Sequence, residues 1–200
     1  MELPSNMLTP SIFAEKAKAE LEPLGVKVNV YDSDWIKNQK MNAFWSVAKG
    51  STEEPKMVEM IYEGKRSTDG RRSGTRPAWN CPLIPDKGPE ADVKNTFCLV
   101  GKGVTFDSGG ISIKPSASMG DMRADMGGAA VTVAAMKAIA QAGLKGRIVA
   151  LTPLAENMPA GNASKPGDVV VARNGKTIQI DNTDAEGRLL LCDTLGKYPS

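Results

Sequence analysis

The sequence predicts an α/β fold in which helices flank a mixed central sheet. Short apolar runs typical of strands alternate along the chain with stretches of helical periodicity, which is the pattern of such layered folds. Two of the runs, residues 97–100 and 147–151, are almost continuously apolar, as strands buried on both faces usually are. With 200 residues, 41% of them hydrophobic, the chain is long enough for one domain with a sizeable core.

The first third of the chain predicts helices and strands whose ends are marked by caps and helix-breaking residues. Thr9 and Ser33 stand where a side-chain oxygen can cap a helix, and Pro23 and Gly50 stop the two helices. Between the helices, apolar and polar residues alternate as in a half-buried strand. The predicted elements are a helix from residue 10 to before residue 23, a strand at 26–31, a helix from 33 to 50 and a strand at 56–63.

Residues 64–95 interrupt this pattern. Pro, Gly, Arg, Asp and Ser dominate the segment, which includes the basic residues Arg66, Arg71, Arg72 and Arg76. A stretch of this length without periodicity is long for a connection inside a compact domain. We therefore expect 64–95 to be an exposed inserted loop within a single domain that covers residues 1–200.

The remainder of the chain predicts strands, a helix rich in small residues and a hairpin. Paired glycines at the start of that helix leave room for another group to approach its backbone. Asn174-Gly175 lies between two strand-like runs and predicts a type I′ turn, which needs positive φ at both central residues. The predicted elements are a strand at 97–100, a glycine-rich loop at 101–110, an extended piece at 111–114, a helix ending at Gly143, a strand at 147–151 and hairpin strands at 168–171 and 177–180.

Composition excludes several classes of function. The chain has no histidine, so it cannot itself supply a Ser-His-Asp or Cys-His catalytic system or a histidine zinc site. Its net charge of +2 gives no reason to expect nucleic acid as a partner. The most apolar helix is too short to span a bilayer, so we expect no membrane partner either.

Cysteine usage favours a reducing compartment. The three cysteines have scattered spacing and predict no disulfide framework. The first residues lack the basic and apolar pattern of a secretory signal, and we expect a cytoplasmic location. Cys98 lies in an apolar run and is expected to be a small core residue.

The segment 182–189 carries the strongest chemical signal. Asp184 and Glu186 stand two residues apart after an apolar run, and a helix is predicted to begin near Gly187. Extended spacing turns both carboxylates to one side, where they repel each other unless a cation lies between them. Asp and Gly are also ordinary turn and cap residues, so a structural turn is the better interpretation of the pair by itself.

Three further residues change that interpretation. Lys102, Asp107 and Asp125 also stand at strand ends or in glycine-rich loops, and sites in α/β folds collect at the carboxyl ends of strands. If all five residues converge, two divalent cations would cancel the charge of the four carboxylates, with Lys102 as a neutral ligand. Separately, each residue has an ordinary explanation as a surface lysine, a cap or an ion-pair partner. The loop at 101–110 lacks both common phosphate-binding patterns.

Three segments resemble the leucyl aminopeptidase (cytosol aminopeptidase) family of two-metal exopeptidases. They are residues 100–110, 122–130 and 182–189, and the similarity extends to 156–159 and 165–168. The octapeptide at 182–189 is highly specific, and three motifs in the same order argue against coincidence. The resemblance implies a zinc-exopeptidase-like fold and a metal-dependent aminopeptidase that releases N-terminal residues, leucine among them, from peptides with a free N-terminus.

The resemblance also implies a metal ligand set. Lys102, Asp107, Asp125 and Glu186 would bind one divalent ion, and Asp107, Asp184 and Glu186 would bind the other. Asp107 and Glu186 would therefore bridge the two ions. Carboxylate-rich ligation suits Mn²⁺ and Mg²⁺ as well as Zn²⁺, so the sequence leaves the identity of the metal open.

Further roles implied by the resemblance concern the substrate and the proton. Lys114 would polarise the scissile carbonyl, and Met122 would line the pocket for the N-terminal residue, so that both, with Lys102 and Asp107, contact the substrate. Arg188 would hold a bicarbonate that shuttles protons, which fits a chain without histidine. Lys114 could instead be a solvated lysine, and methionine is often core filler.

The sequence departs from the family at both ends. Family members usually carry a separate N-terminal domain, which we expect to be absent here, and they continue beyond Ser200 with strands that complete the sheet. We therefore expect a partial catalytic domain, incomplete at its C-terminus, that binds metal weakly and hydrolyses peptides poorly by itself. Full-length members imply a homo-oligomer, a hexamer in the family. The alternative is a truncated isoform that acts as an interaction or assembly module.

Overall fold

A computed structural model describes residues 3–64 and 96–196, and within these ranges the predicted α/β architecture is confirmed. The strands of the main sheet are β1 (Lys27–Tyr31), β2 (Lys56–Gly64), β3 (Phe97–Val100), β4 (Gly103–Asp107) and β5 (Gly146–Asn157). A hairpin contains β6 (Val169–Val171) and β7 (Thr177–Gln179). The helices are α1 (Pro10–Leu21), α2 (Ser33–Asn38), α3 (Asn42–Ala48), α4 (Gly127–Gln141) and α5 (Glu186–Leu195), and a 3₁₀ helix covers Met119–Ala124.

The strand β5 lies at the centre of the sheet. On one side β2 pairs with it antiparallel, and β1 pairs antiparallel with β2. On the other side both β3 and β4 run parallel to β5, β3 along residues 148–151 and β4 along residues 154–157. β3 and β4 are thus two segments of one interrupted edge, separated by Gly101 and Lys102. The sheet is mixed, as the sequence predicts.

Each face of the sheet carries its own hydrophobic core. One core joins the sheet to α1 and α4, and its buried members include Phe13, Leu21, Met60, Met136 and Leu154. The other joins the sheet to α2, α3 and α5, with Ile36, Met41, Phe44, Met57 and Leu190 among its buried members. Burial of one such side chain stabilises the fold by ~1.5–3 kcal/mol, so both faces contribute to holding the strand ends in place.

The helix predicted from residue 33 to residue 50 is wrong as a single element. The chain forms two helices, α2 and α3, and Lys40 between them has a left-handed backbone with φ of 57°. Asp32 rather than Ser33 caps α2, since its side chain accepts a hydrogen bond from the backbone N–H of Trp35. The predicted stop of α1 before Pro23 is confirmed.

Three predictions between residues 97 and 114 need correction. β3 is not buried on both faces, because it is an edge segment: Phe97 is 42% exposed and Cys98 is exposed rather than in the core. The glycine-rich segment 101–110 is not all loop, since it contains β4. Residues 111–114 form a turn and a bend instead of an extended piece.

The hairpin is confirmed, but its turn is not type I′. Gly175 has φ of 82°, whereas Asn174 is not among the described residues with positive φ. The N–H of Gly175 donates to the carbonyl of Ala172, and the N–H of Ala172 donates to the carbonyl of Lys176. This is the three-residue loop in which a type I turn is followed by a left-handed glycine.

The predicted inserted loop lies almost wholly outside the described residues, together with its arginine cluster and Cys81. In the described part of the chain, no helix combines the length and the apolar character that a membrane crossing requires.

Candidate metal centre

Six charged side chains from separate segments meet beside the carboxyl ends of β4 and β5. Lys102 lies in the interruption between β3 and β4, and Asp107 is the last residue of β4. Lys114 lies in the loop after β4, and Asp125 directly follows the 3₁₀ helix. Asp184 lies in the loop after β7, and Glu186 begins α5. Each stands at the end of an element or in a loop that follows one, so the fold rather than local sequence brings them together.

Three carboxylates form the centre of this cluster. Asp107, Asp125 and Glu186 each direct one oxygen to a common point, and the three oxygens lie within 4.8 Å of one another. Asp107 and Glu186 are each only 2% exposed. Anions at such separations and with so little water repel strongly, so the arrangement requires positive charge within it.

Two lysines supply positive charge. The ammonium group of Lys102 lies 2.8 Å from Oδ1 of Asp125 and 2.6 Å from Oε1 of Glu186. Lys114 lies 2.9 Å from Oδ2 of Asp107 and also bonds Oδ1 of Asp184. Each lysine therefore sits between two carboxylates, and the cluster of four carboxylates and two ammonium groups keeps a formal surplus of two negative charges.

Burial and pairing move the pKa values of these groups in the expected directions. Burial raises the pKa of Asp125 and of Glu186, and the charge of Lys102 only partly opposes that shift. For Lys102 and Lys114, burial alone would lower the pKa. Their hydrogen bonds to the carboxylates outweigh it, so the pKa of each lysine is raised.

Glycines create the space that Lys102 needs. A Cβ on Gly101 would lie 2.3 Å from the carbonyl oxygen of Gly128, and one on Gly187 would lie 2.8 Å from Cδ of Lys102. The carbonyl of Lys102 accepts a hydrogen bond of 2.8 Å from the N–H of Ala129 in α4. Gly128 at the start of α4 therefore admits the backbone of Lys102, since a Cβ there would lie 3.0 Å from its nitrogen and 3.1 Å from its carbonyl oxygen.

The loop after Asp107 also depends on glycine. Gly109 and Gly110 have φ of 89° and 69°, a region that favours glycine, and the N–H of Gly109 donates to Oδ1 of Asp107. A Cβ on Gly109 would lie 2.4 Å from the carbonyl oxygen of Ser112. The turn brings the chain back so that Lys114 reaches Asp107.

Two residues of this centre were not among the candidates from the sequence. Asn157, the last residue of β5, donates from Nδ2 to Oδ1 of Asp107 at 2.8 Å and to the carbonyl of Thr183 at 3.0 Å. The hydroxyl of Thr183 donates to the carbonyl of Gly109 at 2.6 Å. The strand predicted at 147–151 extends to Asn157 in the structure, so the position of this residue at a strand end was not visible in the sequence.

Arg188 and Met122 lie beside the cluster without joining it. Arg188 is in the first turn of α5, two residues after Glu186, and its side chain is exposed. Among the described residues, no ion pair joins it to a carboxylate of the cluster. Met122 is half-buried in the 3₁₀ helix that precedes Asp125.

The donor set fits divalent cations. Four carboxylates and a lysine amine offer oxygen and nitrogen ligands of the kind that Mn²⁺, Zn²⁺ and Mg²⁺ accept. Oδ2 of Asp125 is buried and has no hydrogen-bond partner in the described part of the chain, so a lone pair is left for a ligand. Cation binding would also reduce the surplus negative charge of the cluster.

Comparison with known proteins identifies relatives over almost the whole chain. Residues 1–73 and 86–198 match the catalytic domain of the cytosol aminopeptidase family. The chain is 47% identical over 199 residues to cytosol aminopeptidase of Dictyostelium discoideum, covering 98% of this chain and 34% of that protein. It is 50% identical over 197 residues to cytosol aminopeptidase of Xenopus tropicalis, covering 98% of this chain and 33% of that protein.

Solved structures agree with the sequence matches. The bottromycin maturation enzyme BotP in complex with Mn superposes with a TM-score of 0.80 at 37% identity, covering 100% of this chain and 38% of that one. Cytosol aminopeptidase from Coxiella burnetii gives a TM-score of 0.80 at 31% identity, covering 98% of this chain and 37% of that one. The chain thus spans about a third of the length of its curated relatives, which are 33–34% covered.

Proposed function

We propose that this chain carries the metal-binding part of a metal-dependent aminopeptidase, because it belongs to the cytosol aminopeptidase family. The observation that carries the proposal is the meeting of three carboxylates and Lys102 in one cluster, to which Lys114 joins Asp184 as a fourth. Carboxylates held this close, two of them almost fully buried, cost free energy unless positive charge compensates them, and bound cations would supply it. The names of its relatives favour a cytosolic location for the protein.

The proposed ligands divide into two overlapping sets. Lys102, Asp107, Asp125 and Glu186 would hold one divalent cation, and Asp107, Asp184 and Glu186 the other. A cation pair of this kind, when bound, supplies a Lewis acid that makes a water molecule nucleophilic near neutral pH. Mn²⁺ is the first ion to test, because the neighbour BotP was solved in complex with Mn.

Lys114 is proposed to stabilise the negative charge that develops on the scissile carbonyl oxygen. Its ammonium group lies between Asp107 and Asp184 and stands at the edge of the carboxylate cluster. If these carboxylates served as metal ligands, the ammonium group of Lys114 would be free to donate to a substrate oxygen. A fixed donor aimed at developing charge is worth ~2.7–4 kcal/mol in a comparable oxyanion site.

Arg188 and Met122 are proposed to act at the rim. The exposed guanidinium of Arg188 can hold a small anion such as bicarbonate through two parallel hydrogen bonds, and that anion would accept and return a proton. Met122 would contact the side chain of the N-terminal residue. The substrate class is a peptide with a free N-terminus, and the full-length protein is proposed to be a homo-oligomer.

Hydrolysis of leucine amide by the 200-residue chain, with and without added Mn²⁺, tests this proposal. We expect slow turnover that requires Mn²⁺ and that is lost when the amine of the substrate is acetylated. Asp184→Asn should reduce Mn²⁺ affinity by more than the ~10-fold that an outer-shell change costs. Asp181→Asn is the matched control, since Asp181 is exposed in the same segment and bonds only Gln179 among the described residues.

The result that would refute the proposal is a folded chain that binds no Mn²⁺ in calorimetry. Equal Mn²⁺ affinity in the wild-type chain and in the Asp184→Asn variant would refute the role of Asp184 alone.

A further inference from the structure

Asn157 lies where the two halves of the proposed metal centre meet. It is the residue of β5 directly opposite Asp107 of β4 in the parallel register, and it is 4% exposed. The ends of both strands therefore hold it rigidly. From this position its side chain reaches the loop that carries Asp184 as well as Asp107 itself.

The amide of Asn157 uses both of its N–H donors. One donates to Oδ1 of Asp107 at 2.8 Å and the other to the carbonyl of Thr183 at 3.0 Å. Rotation of the amide by half a turn would place its oxygen against two acceptors, so the observed orientation is the one that the contacts allow. A single side chain thus ties the carboxylate of Asp107 to the residue that precedes Asp184.

The backbone of Asn157 strengthens the same connection. Its carbonyl accepts from the N–H of Ser108 at 3.0 Å and from the hydroxyl of Ser108 at 2.7 Å. Thr183 in turn bonds the carbonyl of Gly109. The loop after β4 and the loop before α5 are therefore joined through one buried residue and its immediate partners.

These bonds determine which oxygen of Asp107 faces the cluster. Oδ1 receives two donors, the N–H of Gly109 and the amide of Asn157. Oδ2 is left to face the ammonium of Lys114 at 2.9 Å. An uncharged donor suits this place, because a lysine would add a competing cation and a carboxylate would repel Asp107.

We propose that Asn157 is a positioning residue of the metal centre, which orients Asp107 and couples it to the Asp184 loop. The inference rests on the proposed function, since it assigns Asn157 a task only if Asp107 and Asp184 bind cations. Outer-shell partners of metal ligands typically change metal affinity by ~10–100-fold when they are replaced. We expect a change of that size for at least one of the two ions when the amide of Asn157 is removed.

The test compares Mn²⁺ binding to the 200-residue chain and to Asn157→Leu, which keeps the size of the side chain and removes both donors. Calorimetry should show two Mn²⁺ ions per wild-type chain and at least one site weakened ~10–100-fold in the variant. Electron paramagnetic resonance adds a readout of geometry, because two Mn²⁺ ions roughly 3.5–4 Å apart give a spin-coupled signal that the variant should lose.

Ser164→Ala is the matched control. Ser164 is also buried, near the same strand end, but its hydroxyl donates to the carbonyl of Ser46 and reaches no carboxylate among the described residues. This control should bind both ions with wild-type affinity. The melting temperature of each metal-free chain is measured in parallel, so that general loss of stability is separated from loss of metal affinity.

If Asn157→Leu does not fold, Asn157→Gln tests the positioning role of Asn157 instead. It keeps the amide but moves it by one methylene, and we expect it to fold and to lose the coupled signal. Wild-type Mn²⁺ affinity and coupling in either folded variant, or equal losses in the serine control, would overturn the role of Asn157. If the wild-type chain itself binds no Mn²⁺, the proposed function fails first, and that outcome is distinct from the others.

Discussion

Gly187 leaves the space through which the side chain of Lys102 reaches the cluster. A Cβ at this position would lie 2.8 Å from Cδ and 3.3 Å from Nζ of Lys102. The crowded atoms belong to the mobile end of a long side chain, so the lysine can move away at small cost. What it would lose by moving is its pair of bonds to Asp125 and Glu186.

Gly187→Ala should therefore separate stability from metal binding. Alanine in a helix is favoured over glycine by up to ~1 kcal/mol, so the free energy of unfolding should change little or rise. Mn²⁺ affinity should fall at least ~10-fold, because the proposed lysine ligand is displaced. Urea unfolding and calorimetry measure the two quantities. Gly161→Ala is the control, since a Cβ on Gly161 meets no atom within 4 Å; equal Mn²⁺ affinity in both variants would contradict the expectation.

Among the helices, α3 and α5 are joined to the hairpin by one buried carboxylate. Asp193 of α5 is 1% exposed, and its Oδ2 accepts from the backbone N–H of Phe44 in the first turn of α3 at 3.0 Å. Its Oδ1 accepts from the N–H of Arg173 in the hairpin loop at 2.7 Å. The residue before α3 gives no side-chain cap, so Asp193 supplies the cap from another helix.

Replacement of Asp193 by alanine should destabilise the chain without changing the metal centre directly. Two buried N–H groups lose a charged acceptor, and a hydrogen bond to a charged group is worth about 1.5–3 kcal/mol. We expect the free energy of unfolding to fall by roughly 2–4 kcal/mol in urea titration, on that scale. Asp193→Asn, which keeps one acceptor, should lose less. A loss below about 1 kcal/mol for alanine would show that water replaces the carboxylate.

For the molecule as a whole, the cluster couples stability to pH and to metal. Burial raises the pKa of Asp125 and Glu186 above their ordinary values of 3.8 and 4.5. Protonation of these two carboxyl groups therefore stabilises the folded state. This contribution is fully present below the ordinary pKa values and is lost as the pH rises through the raised ones. Cations compete with the same protons and with the proton of Lys102, so they bind more tightly as pH rises.

Mn²⁺ should accordingly raise the melting temperature more at pH 7 than at pH 5. A ligand at 100 times its dissociation constant stabilises the folded state by ~2.7 kcal/mol per site. For a chain of this size that is about 5–10 °C. Scanning fluorimetry with Mn²⁺ at both pH values measures the difference, and a double variant, Asp125→Asn with Glu186→Gln, is the control. A larger shift at pH 5, or an equal shift in the control, would contradict the prediction.

Periodicity and helix-breaking residues in the sequence were sufficient to predict most helices and strands. The exceptions have physical causes. The break between α2 and α3 depends on the left-handed backbone conformation of Lys40. Lysine rarely adopts this conformation, and no sequence pattern predicts it here. The exposure of Phe97 and Cys98 depends on which strand lies at the edge, and that is a property of the assembled sheet.

The charged residues of the candidate site could be named from the sequence, but the residues that hold them in position could not. Asp184 and Glu186 stand out because carboxylates two residues apart need an explanation, whereas an asparagine such as Asn157 raises no electrostatic question in a sequence. Its partners lie 26 and 50 positions away, so only the fold reveals them. For the same reason the lysines could be named as candidates, but not as the groups that lie between the carboxylates.

The interruption between β3 and β4 keeps the strand register constant across its two residues, since Val100 lies opposite Leu151 and Gly103 opposite Leu154. Strand pairing with β5 ends at Val100 and resumes at Gly103, and within the gap Gly101 still donates to the carbonyl of Leu151 at 3.0 Å. Lys102 is the other residue of this gap. Because side chains alternate between the two faces, one residue more or fewer here would turn Lys102 toward the opposite face and shift every later position of β4. The two-residue length of this gap therefore sets the face of the sheet toward which Lys102 points.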